Sequence, residues 1–129
     1  MDETQATVIA KKLIYLLVNA DYQGFLDAID FSGKKRKSWI NSLSELTSLI
    51  ESHGCDLEHP GPPILVTDPE SAEGEPWPKA PFNTQTSRDR MIRVHCELAI
   101  NGEWTDFHMY FDFIPPYDVK PVVSFVGIP

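Results

Sequence analysis

Two histidines, His95 and His108, are the residues of this chain whose type and placement could do chemistry together. They flank Asn101-Gly102, a dipeptide that favours a two-residue β-hairpin turn because both residues tolerate positive φ. Such a turn pairs Ile100 with Glu103. Counting outward sets His95 across from His108, Glu97 across from Asp106, Arg93 across from Tyr110 and Met91 across from Asp112. Two imidazoles with carboxylates one pair further along could hold a divalent transition metal, or titrate together near neutral pH. A solvated sheet face uses the same residue types with no ligand at all. Glu97 opposite Asp106 is a like-charge pair, which costs stability unless a cation, a histidinium or a partner lies there.

Other reactive groups have less to organise them. His53 lies near Cys55 and Asp56, but a His-x-Cys pair specifies no geometry for activating a nucleophile, and a cap or turn role suits it. No serine has a GxSxG context and no glycine-rich phosphate loop is present. The two cysteines, Cys55 and Cys96, have no CxxC spacing, and with four scattered histidines they build no local zinc motif. The expectation is a non-enzymatic chain without a cofactor, with both thiols reduced in a cytoplasmic protein.

The elements that must position the histidines are legible around them. Ile92, Val94, Cys96, Leu98 and Ile100 alternate with Arg93, His95, Glu97 and Ala99, the period-two pattern of a half-buried strand. The return strand runs from Glu103 to about Ile114, with Phe107, Met109, Phe111 and Phe113 on one side, and Pro115-Pro116 ends it. The same register sets Cys96 against Phe107, Val94 against Met109 and Ile92 against Phe111, an apolar face for helices to cover. A last strand is expected from Val122 to Ile128.

Upstream, Ala6, Ile9, Leu13, Leu16, Leu17 and Ala20 recur at spacings of three and four, predicting an amphipathic helix from Asp2 to about Asn19 capped by Asp2 or Thr4. Asn19-Ala20-Asp21 breaks it, and Asp21 caps a short second helix carrying Phe25, Leu26 and Ile29, which Ser32-Gly33 ends. After the basic run 34–37, read as a solvated loop, a third helix carries Trp39, Ile40, Leu43, Leu46 and Ile50 and closes at Gly54. Ser38 could cap it; Ser42 with Glu45 has capping-box spacing and would start it a turn later. Residues 55–89 hold seven of the eleven prolines and read as irregular, apart from a short edge strand over Ile64 to Thr67, with Trp77 and Phe82 as anchors. The whole is one α+β domain: a helical part over 1–54, a long Pro-rich acidic loop over 55–89, and an antiparallel meander over 90–129 on one face of which the three helices pack.

Charge is unevenly distributed. The net charge of −8 is matched by eight acids between Ser38 and Pro78, a stretch with no Lys or Arg. Such a field disfavours nucleic acid and anionic membrane and favours a basic protein surface, although acids also simply keep a protein soluble. The acidic first residues and the short apolar stretch Leu13 to Val18 predict neither a signal peptide nor a membrane span.

The order of three helices, with Asn19-Ala20-Asp21-Tyr22, Phe25 and Leu26 opening the second, followed by an antiparallel sheet, resembles the cystatin-like cone of nuclear-transport-factor-like and polyketide-cyclase-like proteins. The resemblance implies a cavity under the helices; enzymes of that kind line it with Asp, His or Tyr, whereas Val94, Cys96, Phe107, Met109 and Phe111 are apolar or thiol here. In size and acidity the chain also resembles small cytoplasmic bacterial immunity proteins. That implies a toxin-inhibiting protein–protein interaction with a basic partner through Asp56, Glu58, Asp68, Glu70, Glu73 and Glu75, with Trp77 as apolar anchor. The alternative is a cone-shaped small-molecule or metal-binding domain using His95 and His108. Oligomeric state is open: the last strand could pair with its copy.

Overall fold

A computed structural model of the chain describes residues 1–29, 43–54, 65–69, 72, 82–117 and 120–126. Three helices, α1 (Glu3–Val18), α2 (Tyr22–Asp27) and α3 (Leu43–Gly54), precede four strands, β1 (Phe82–Thr86), β2 (Ile92–Ile100), β3 (Glu103–Phe113) and β4 (Val122–Val126). The strands form one antiparallel sheet in the order β1-β2-β3-β4. The class is α+β with helices first, as the periodicities predict. Among the described residues, no helix is long and apolar enough to cross a membrane.

Local chemistry starts α1 and α2 where expected, but α2 ends at Asp27 with Ala28 as its C-cap, so Ile29 lies beyond it and the expected stop at Ser32-Gly33 comes too late. Asp2 caps α1 by accepting from the Gln5 N–H at 2.8 Å, while the Gln5 side chain accepts from the Asp2 N–H at 3.0 Å, a reciprocal capping box. Ala20, at φ 58°, breaks the chain between α1 and α2. Asp21 then caps α2 by accepting from the Gly24 N–H at 3.0 Å. A Cβ at position 24 would collide with the Asp21 carboxylate, so glycine leaves the cap its room. Ser32-Gly33, Trp39 and Ile40 lie outside the described residues.

One buried cluster joins Ala6, Ala10, Leu13, Ile14 and Leu17 of α1, Phe25 and Leu26 of α2 with Ile29 just beyond, Leu46 and Ile50 of α3, and the inward side of the strands. Phe25 meets Phe111 edge to face with ring centroids 6.3 Å apart. Cys96 lies in this cluster, its thiol donating to the Met109 carbonyl at 3.6 Å and pushed well up by burial, hence inert. Cys55 lies outside the described residues.

Three expectations are corrected. First, the sheet begins before residue 90: β1 lies inside the stretch 55–89 expected to be irregular, and Phe82 is its first residue. No apolar alternation marks β1, because its inward residues meet polar groups of α1. Thr84 bonds Thr7 hydroxyl to hydroxyl at 2.6 Å, the Thr86 hydroxyl donates to Glu3 at 2.6 Å, and Lys11 lies 5.5 Å over the Phe82 ring. Second, the hairpin register shifts by two residues. Asn101 (φ 50°) and Gly102 (φ 84°) make the expected turn, and Ile100 pairs with Glu103 and Ala99 with Trp104. The next pair is Glu97 with His108, so β3 spends three residues, 105–107, opposite Leu98 alone. Thr105 holds this bulge: its buried hydroxyl donates to the Leu98 carbonyl at 2.7 Å and accepts from the Phe107 N–H at 3.1 Å. Third, the inward pairs become Cys96 with Met109, Val94 with Phe111 and Ile92 with Phe113. A shift of two keeps every side chain on its expected face.

The short strand expected over Ile64 to Thr67 is reduced, among the described residues, to a single bridge between Val66 and Ile100. Around it, the Asn101 N–H donates to the Leu65 carbonyl and the Asn101 side chain accepts from the Leu65 N–H, both at 2.9 Å. The Gly102 N–H donates to the Thr67 hydroxyl at 2.8 Å, so this segment clasps the hairpin tip. The remainder of the Pro-rich segment before residue 82 is outside the described residues apart from 68, 69 and 72. The last strand is described from Val122 to Val126.

Candidate functional site

The outward sheet face is built in rows. Asn83, His95, Tyr110 and Ser124 lie side by side across four strands, Gln85, Arg93, Asp112 and Val122 form the next row on one side, and Glu97, His108 and Val126 the next on the other. Because of the bulge, His95 faces Tyr110 and not His108, Arg93 faces Asp112 and not Tyr110, and Glu97 faces His108 and not Asp106. The like-charge pair expected between Glu97 and Asp106 is therefore replaced by a carboxylate opposite an imidazole. Met91, expected opposite Asp112, precedes β2.

His95 and His108 nevertheless meet, diagonally. Nε2 of His95 and Nδ1 of His108 are 2.8 Å apart, and the rings lie 4.9 Å apart at 40°. On the other side, His95 stacks on Tyr110 at 4.6 Å and 17°, and the Arg93 guanidinium lies 4.9 Å over that same Tyr110 ring. Arg93 is in turn held by Asp112, Nε donating to Oδ1 at 2.7 Å and Nη2 to Oδ2 at 2.9 Å. The result is a continuous ladder, Asp112, Arg93, Tyr110, His95, His108, whose upper members are half-buried.

Electrostatics follow from this contact order. Burial, the neighbouring His108 and the Arg93 charge all push the His95 imidazolium pKa below its ordinary range, so His95 stays neutral to lower pH. The bond to Asp112 raises the Arg93 pKa against the opposing effect of burial. Side-chain exposure is 39% for Arg93 and 1% for Asp112, so the pair presents its cation outward and hides its anion.

Between β1, β2 and β3 this face holds a depression of about 310 Å³ lined by Asn83, Gln85, Arg93, His95 and Tyr110. A second depression, about 520 Å³ between α1 and the 116–117 turn, is lined by Met1, Thr4, Gln5, Val8, Ile9, Pro116 and Tyr117, among which tyrosine is the one titratable side chain of the described residues. Among the described residues, no group of three or more His, Cys, Asp or Glu could hold a metal ion. A metal on His95 and His108 would have to break their mutual bond and draw further ligands from elsewhere.

Of the expected partner-binding residues, Asp68 is described: its carboxylate accepts from the Tyr15 hydroxyl of α1 at 3.0 Å. Asp56, Glu58, Glu70, Glu73, Glu75 and Trp77 lie outside the described residues. Asn83 and Gln85 escape the sequence reading because their strand carries no apolar alternation, and Asp112 is misplaced by the register. The period-two spacing of Asn83, Gln85 and the threonines between them was the available signal. Comparison with family models, with curated proteins and with solved structures finds no match to this chain.

Proposed function

We propose that this chain is a non-enzymatic protein-binding module, in its sharpest form a cytoplasmic immunity protein that neutralises a basic toxin through an acidic surface. The observation that supports protein binding is the half-exposed ladder of Arg93, Tyr110, His95 and His108, each fixed by its neighbour; the basic character of the partner is inferred from the acidic stretch alone. Tyrosine and arginine dominate interface energies, and side chains already ordered in the free protein lose little entropy on binding. The acidic stretch with Asp56, Glu58, Asp68, Glu70, Glu73 and Glu75, and Trp77 as apolar anchor, supplies steering toward a basic partner.

The test is a pull-down of the purified protein from its native lysate at low and high salt. One basic protein retained at low salt and lost at high salt is the expected result. Trp77→Ala combined with Glu73→Gln and Glu75→Gln should weaken that interaction while leaving thermal stability unchanged; undiminished affinity in this variant rejects the reading.

The contact between His95 and His108 favours a second reading, a cone-shaped domain binding a metal or small molecule. In that case zinc or nickel raises the melting temperature of the wild-type protein and fails to do so in His95→Ala, because a ligand stabilises only the state that binds it. Equal responses of the two proteins dismiss the pair as a metal site.

A further inference from the structure

The bond between Arg93 and Asp112 leaves one side of the guanidinium unspent. A guanidinium has five N–H donors in a rigid plane, and Asp112 takes the Nε hydrogen and one on Nη2. The remaining edge, formed by Nη1 and the second Nη2 hydrogen, is a complete fork with the spacing of two carboxylate oxygens. It belongs to a residue that lines the 310 Å³ depression, and the same depression is lined by Asn83 and Gln85, whose side-chain amides make no hydrogen bond among the described residues. Tyr110 and His95 complete the lining, so among the described residues it contains one cation and no carboxylate, on a chain whose net charge is −8.

From this arrangement we propose that the depression between β1, β2 and β3 is a carboxylate-binding site, with the free fork of Arg93 holding both oxygens and the amides of Asn83 and Gln85 donating beside it. Asp112, almost fully buried on the neighbouring strand, holds the guanidinium by its Nε edge, which removes part of the ordering cost of binding. It also halves the attraction, so a singly charged carboxylate suits the site better than a phosphate dianion, which the acidity of the chain would repel more strongly. The carboxylate belongs either to a small free acid or to a Glu or Asp side chain of another protein. The inference rests on Arg93, Asn83 and Gln85 at this depression and holds whether or not the acidic stretch engages a basic partner.

The experiment is an NMR titration of the full chain with sodium acetate, and with sodium chloride at matched ionic strength, following the Arg93 Nε–H and the His95 and Tyr110 ring signals. Acetate should produce saturable shifts with a dissociation constant on the order of millimolar, as its few atoms allow, and chloride should not. Arg93→Lys keeps the charge but loses the fork and should weaken acetate roughly tenfold or more. Since that change also touches Asp112, Asn83→Ala with Gln85→Ala is the decisive variant: it leaves the melting temperature unchanged and weakens acetate about three- to tenfold. Coincident acetate and chloride shifts, or an unaltered acetate affinity in the double variant, overturn the site. A short end-blocked peptide with a single Glu, titrated in parallel, distinguishes the sources: tighter binding than acetate assigns the site to a protein-borne carboxylate, weaker binding to a free acid.

Discussion

Nε2 of His95 and Nδ1 of His108, 2.8 Å apart, admit one hydrogen between them, so the pair gains at most one proton while the contact lasts. Around His95, the groups that bear on its charge are His108 and Tyr110 of β3 and Arg93 of its own strand, with the neutral Asn83 opposite on β1. Burial first, then His108 and Arg93, lower its pKa below the ordinary 6.5. As pH falls through 6.5, the unfolded chain therefore takes up a proton before the folded one does, and stability is lost from there down to the folded pKa. The melting temperature should fall between pH 7 and pH 5 by less in His95→Gln than in the wild-type protein, the carboxylates being common to both; parallel curves from the two proteins contradict this. At this scale the histidines were legible from their places around Asn101-Gly102, since a turn sequence fixes which face each residue takes. Their actual neighbours were not, because Tyr110 and Asp112 reach theirs only after the bulge.

The bulge is a property of the β2–β3 hairpin, and one side chain satisfies it. Three residues of β3 oppose Leu98, which takes the local carbonyl and amide out of the regular ladder, and the Thr105 hydroxyl serves both the Leu98 carbonyl and the Phe107 N–H. Thr105→Val keeps the shape and removes the hydroxyl, leaving those groups buried without it. Urea denaturation should show a loss of about 1 to 3 kcal/mol. A variant as stable as the wild type would mean that the hairpin had rezipped to the unbulged register, with Cys96 opposite Phe107. Nothing about threonine at position 105 announces a bulge, since threonine is an ordinary strand residue. The strand β1 was hidden for a related reason: its inward Thr84 and Thr86 bond to Thr7 and Glu3 of α1, so polar residues occupy positions where a pattern of burial predicts apolar ones.

For the molecule as a whole, the aromatic contact between α2 and the sheet ties the helical half to the strands. Phe25 and Phe111 are both fully buried and meet edge to face. Phe111→Ala removes that contact and opens a cavity in the shared cluster, at a cost of about 3 to 5 kcal/mol. Against a total stability of about 5 to 15 kcal/mol, thermal denaturation should show a much lower melting temperature or a chain that does not fold at all. A shift of only a few degrees would show that the helices and the sheet are stabilised independently. The net charge of −8 acts at the same scale. It sets the long-range field any partner meets, and the outward guanidinium of Arg93 is a local exception to it.

By itself the sequence determined the class, the three helices, the Asn101-Gly102 turn and the face on which each residue of β2 and β3 lies, because these follow from periods of 3.6 and 2, capping chemistry and turn conformation, all of which act between near neighbours. The tertiary structure alone decided which outward residues touch. It placed β1 against β2, shifted β3 by two residues around Thr105, and thereby brought Arg93 to Asp112 and Asn83 and Gln85 to the edge of the same depression. Those contacts depend on how a buried hydroxyl satisfies a displaced backbone and on what a helix presents to a strand, neither of which is encoded at any fixed spacing along the chain.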